Sequence, residues 1–109
     1  MATSRSRWPR IPKRVEGMGG PITVKLVRRV RVEGVACWGS WHSDKRAVSL
    51  DCGAPREHQW RTFFHELTHS ALDDSGLGAQ LSEAGNEAIC EAMASLHVRL
   101  MRDRIDSGQ

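Results

Sequence analysis

The sequence predicts an α+β domain in which a small antiparallel three-stranded sheet packs on two helices. Three observations carry this. Apolar residues alternate over 22–32 and again at 47–50, then take up helical spacing over 56–73. A second helical pattern runs from Ser82 to about Arg104, with no internal repeat between the two. A chain of 109 residues has room for one such domain and not for a second lobe to hold a substrate.

The N-terminal 20 residues combine Ser, Arg, Pro and Gly without apolar periodicity, which predicts a flexible basic arm over 1–20 and a folded domain over 21–109. Charge is unevenly divided. Residues 1–31 hold nine Lys/Arg against Glu16 alone, a net +8, whereas the remaining 78 hold seven basic and twelve acidic groups, a net −5. Such an arm is a candidate partner for nucleic acid, with Trp8 stacking among arginines; a merely solubilising terminus is the alternative. The N-terminus lacks the apolar segment of a secretory signal, and no apolar run approaches the length of a membrane span. Cys37, Cys52 and Cys90 are odd in number and form no CxxC, so they read as reduced, mostly buried thiols. A cytoplasmic protein without membrane contact is expected.

In the first strand, Ile22, Val24 and Leu26 alternate, the phase slips at Arg28-Arg29, and Val30 and Val32 resume it, as a bulge would produce. Gly34 introduces a second apolar stretch, Val35–Trp38, and residues 39–46 read as a turn-rich link before the short strand Ala47–Leu50. After Pro55, the residues Trp60, Phe63, Phe64, Leu67 and Ala71 fall within an arc of about 100° on a helix. Gly76 and Gly78 end that helix. On the second, Ile89, Met93, Leu96 and Leu100 form one apolar stripe, and Glu87, Glu91, Ala94 and Val98 form the other side.

The most informative five residues are His65-Glu66-Leu67-Thr68-His69, an HExxH motif. Residues four apart share a helix face about 6 Å apart along the axis, so one Zn²⁺ can take both imidazoles. Glu66 projects beside them, placed to act as general base on a metal-activated water without being a ligand. Two histidines hold zinc weakly, and a catalytic site uses three protein ligands with one position left open. Glu87 and Glu91 are the candidates for the third, since an antiparallel helical hairpin turns their face towards the histidines. If it is not the ligand, Glu91 orients His65 or His69 through a ring N–H or is a plain carboxylate on the helix surface.

The HExxH helix and the Glu-bearing segment Asn86-Glu87-Ala88-Ile89-Cys90-Glu91-Ala92-Met93-Ala94 resemble a minimal gluzincin over roughly residues 22–104. The chain is similar to small HExxH proteins of bacteriophages and mobile elements, and more distantly to the ImmA/IrrE metallopeptidase family. That resemblance implies a zincin-like core and a His65, His69 and Glu87 zinc site, because Glu87 follows His69 by 17 intervening residues. It implies a zinc-dependent metallopeptidase hydrolysing peptide bonds in a peptide or protein, which docks along an edge strand at about Ala47–Asp51. The chain departs from larger gluzincins in having no Tyr to stabilise the oxyanion; His97, His42 or an arginine is the substitute. A zinc-stabilised regulatory or nucleic-acid-binding module is the rival reading.

Overall fold

The computed structural model describes residues 7–108. The elements run β1 (Arg14–Gly17), β2 (Gly20–Val27), β3 (Arg31–Val32), β4 (Val35–Ala36), β5 (Gly39–His42), β6 (Ala47–Asp51), α1 (Arg56–Ser75), a 3₁₀ turn (Leu77–Gln80) and α2 (Glu83–Asp106). The class is α+β, but the sheet is not the expected three-stranded meander. Four strands lie in the order β1-β2-β6-β5, with β2 and β6 parallel and the outer pairs antiparallel. β3 and β4 form a separate two-stranded hairpin.

Local chemistry explains each difference. The phase slip at Arg28-Arg29 is a break rather than a bulge: Arg29 adopts φ 52° and ends the strand at Val27. Residues 31–32 then pair back onto 35–36 around Glu33-Gly34, both at positive φ as a tight hairpin turn requires. The link expected over 39–46 contains β5, concealed by its polar and glycine residues. A Cβ on Gly39 would collide with the Thr62 methyl of α1, so only glycine lets this strand lie against the helix.

The boundary expected at residue 20 falls inside the β1–β2 hairpin, where Val15 pairs with Ile22. From Arg7 onward the supposed arm is part of the fold. Trp8 and Ile11 are buried in the same core cluster as Trp60, whose Nε1–H donates to the Pro9 carbonyl at 2.7 Å. Trp8 therefore gives no exposed stacking surface; residues 1–6 lie outside the described ones.

Ile22, Val24, Val48 and Leu50 of the two central strands form the apolar face on which Trp60 and Phe63 of α1 pack. Gly76, at φ 79°, closes α1 in the left-handed conformation, its N–H bonded to the Asp73 carbonyl. Ser82 opens α2 by accepting the Gly85 N–H at 3.0 Å. The helices return antiparallel, with Cys90, Ala94 and Val98 buried; the small first two allow close approach to α1. Ile89, Met93, Leu96 and Leu100 lie on the outer side and are exposed. Of the three free cysteines only Cys90 is buried, and Cys52, against expectation, is exposed. No described helix is long and apolar enough to cross a membrane.

The contrast along α2 gives a stability prediction. Val98→Ala is expected to cost about 2 kcal/mol, for two buried methyl groups and the cavity they leave. Leu96→Ser, on the exposed stripe, is expected to stay within about 0.5 kcal/mol of the unaltered protein. Urea unfolding monitored by circular dichroism measures both.

Candidate metal centre

HExxH lies in the middle of α1, and its two histidines project from one face with ring centroids 5.1 Å apart. The hairpin through Gly76–Leu81 brings α2 alongside, so that Glu87 meets both rings. His65 Nε2 stands 3.2 Å from Glu87 Oε2, and His69 Nε2 stands 2.8 Å from Glu87 Oε1. On a tetrahedral zinc with bonds of about 2.05 Å, neighbouring ligand atoms are about 3.3 Å apart. Glu87 thus meets each imidazole through a different oxygen, at separations near that value.

Glu91 reaches His65 alone of the two histidines. Its Oε1 lies 2.9 Å from His65 Nδ1, the nitrogen turned away from Glu87. Neutral imidazole has one N–H and one lone pair, yet His65 faces a carboxylate at each nitrogen. A ring with an N–H on each nitrogen satisfies both carboxylates, and so does a metal ion at Nε2 with the Nδ1–H donating to Glu91. Arg61, one turn earlier on α1, holds Glu91 from the far side at 3.2 Å and also donates to Ser95 Oγ at 2.8 Å.

A further donor, missed at the level of sequence, is Cys90. Its sulfur and ring nitrogens of His65 and His69 all lie within 4.8 Å of one another, so this trio could also hold a metal ion. The thiol is wholly buried one turn beyond Glu87. Burial, reinforced by the charges of Glu87, Glu66, Glu91 and Asp73, pushes it up to about 12. A thiol that ligates a metal does so as thiolate, its proton displaced by the metal. Glu87 stands 3.2 and 2.8 Å from ring nitrogens of the same two histidines.

Glu66 is buried and touches the same cleft. Loss of hydration raises its carboxyl to about 7; Glu87 adds to the rise, while His69 and the backbone N–H of Trp41 oppose it. That N–H is available because of sheet register. The Asp51 N–H donates to the Trp38 carbonyl, so Trp38, Ser40 and His42 face β6 while Gly39 and Trp41 turn their backbone groups to the free edge. The Trp41 indole N–H is in turn fixed by Asp73 Oδ2 at 2.7 Å, and its ring by Arg46, which is paired with Asp74 at 2.8 Å.

The edge strand of the cleft is thus β5 and not 47–51. β6 is central, with Val48 and Leu50 fully buried between β2 and β5. The cleft has a volume of about 660 Å³, with the histidines, Glu66 and Glu87 on one side and Val32, Val35 and Trp38 on another. Trp38 is half exposed and packs on His58 at 4.6 Å. His97 does not reach the cleft: its Nδ1–H donates to the Met93 carbonyl at 2.7 Å and its ring stacks on Phe64. His42 is engaged with Ser49 Oγ at 3.3 Å. Arg61 is the guanidinium that lines the cleft.

Comparison of the chain with protein-family models, with curated proteins and with solved structures gave no match.

Proposed function

We propose that the chain is a gluzincin-type zinc peptidase, acting on an extended segment of a peptide or protein. The observation that carries this reading is the convergence of His65, His69 and Glu87 beside a buried Glu66 that is not needed to hold the ion. A purely structural metal site has no use for a carboxylate there. His65, His69 and Glu87 would hold the zinc, and the chemistry it would supply there is acidification of a water and polarisation of a peptide carbonyl. Glu66 accepts the proton of the attacking water and passes it to the leaving amine, a task suited by a carboxyl poised near 7. Glu91 keeps His65 in the coordinating tautomer. The substrate backbone pairs by strand addition with the outward groups of Gly39 and the outward Trp41 carbonyl, the Trp41 N–H being taken by Glu66. Arg61 serves the developing negative charge in place of Tyr.

The test is direct. Zinc-loaded protein, incubated with a denatured protein mixture, is expected to produce new N-termini detectable by mass spectrometry, and a chelator is expected to abolish them. If the zinc-loaded chain cuts nothing that the chelated chain leaves whole, the peptidase reading fails and a zinc-stabilised regulatory module takes its place.

A further inference from the structure

We infer that a second groove, at the opposite edge of the sheet from the metal cleft, binds the phosphate backbone of a nucleic acid. β1 pairs with β2 only over Gly20–Thr23, so the remainder of β2 has no strand on that side. Residues 10–13 run there instead, joined by the Val24 N–H to the Lys13 carbonyl at 2.9 Å. Between them lies a cavity of about 770 Å³, reached on its helical side by Arg56 and Gln59 of α1.

Four cationic side chains line this groove: Arg10, Lys13, Lys25 and Arg56. No carboxylate does. Arg10, Lys13 and Lys25 are exposed, and none is within ion-pair distance of an acidic group among the described residues. Arg56 is held in place through the Trp8 carbonyl at 3.3 Å. The like charges come from three separate segments, and the exposed Arg28 and Arg29 follow directly after β2 in the chain. Keeping four cations together without counter-charges costs stability through mutual repulsion, which a polyanion relieves. One small phosphate brings a single anionic group to these four cations, whereas a phosphodiester backbone brings one for each.

The groove offers no aromatic face, since Trp8 and Trp60 are spent in the core, so bases have nothing to stack on. Recognition is therefore of the backbone and indifferent to sequence. Arginines and lysines that neutralise phosphates release condensed counterions, and log K then falls with log salt by about 0.9 per contact on duplex DNA. Four contacts give a slope of about −3.6.

The experiment uses the full chain with fluorescently labelled duplex and single-stranded oligonucleotides, and anisotropy read across a salt series. The expected result is sequence-independent binding with a slope of about −3 to −4 on duplex and a shallower one on single strands. The triple variant Arg10→Ser, Lys13→Ser, Lys25→Ser is expected to flatten the slope by nearly 3 and to weaken binding at least tenfold at low salt. These side chains are exposed, so its circular dichroism should match that of the unaltered chain. Three results would each overturn the inference: no binding of either oligonucleotide at low salt, a triple variant with unaltered affinity and slope, or binding only to vesicles containing anionic lipid. The His65→Ala protein should bind nucleic acid normally, which separates this groove from the peptidase reading.

Discussion

Glu66→Gln is expected to keep its zinc and lose hydrolysis. The amide preserves the volume and shape of the side chain but cannot accept a proton, so kcat should fall about 10²–10⁴-fold while KM changes little. The same substitution should raise the stability of the metal-free protein. Folding raises the Glu66 carboxyl from 4.5 to about 7, so the ionised form is disfavoured by the folded state. The resulting cost begins above the unfolded value, grows through the interval between the two, and is complete at higher pH. Below both values the carboxyl is protonated in either state and the cost disappears. Glu66→Gln should therefore exceed the unaltered protein in stability by about 1–3 kcal/mol above neutrality, a gap that closes in mild acid. Thermal unfolding in chelator across a pH series reads it, and hydrolysis by the zinc-loaded variant at the unaltered rate would remove Glu66 from the chemistry.

Glu87→Ala and Glu91→Ala should separate sharply. Glu87 faces both histidine nitrogens, and its loss leaves two ligands; zinc is expected to wash out on dialysis. Glu91 touches only the far nitrogen of His65, so Glu91→Ala should retain zinc with an affinity 10- to 100-fold lower, the usual cost of removing a group that orients a ligand. Competition with a chromophoric chelator measures both. Equal losses in the two variants would mean that each carboxylate coordinates the ion.

What could be read from the chain divides along physical lines. The helical half was legible because α1 and α2 are long, periodic and capped by local residues: Ser82 accepts the Gly85 N–H, and Gly76 supplies the left-handed turn. The HExxH spacing needs only a helix to place two rings together. The β half was not legible because its pairing is non-local. Nothing near β6 announces a parallel partner more than twenty residues earlier in β2, nor that β5 will displace it from the edge. Burial of Trp8 also depends on distant contacts, with Trp60 and Arg56, so composition alone made an arm of a segment that completes the core. Assigning separate places to Glu87 and Glu91 required the rotation of α2 about its axis, which a one-turn spacing leaves open. Cys90 was read only as a small buried residue; its helical position one turn after Glu87 was the available signal.

The central claim is a metal centre of two imidazoles and the Glu87 carboxylate, with one position open. The absorption spectrum of the protein loaded with Co²⁺ in place of zinc tests it most directly. The account predicts one cobalt per chain, visible bands typical of a four- or five-coordinate nitrogen and oxygen site, and no intense near-ultraviolet band from sulfur. A strong sulfur-to-cobalt charge-transfer band that disappears in Cys90→Ser would contradict it, and would make Cys90 a ligand of the ion.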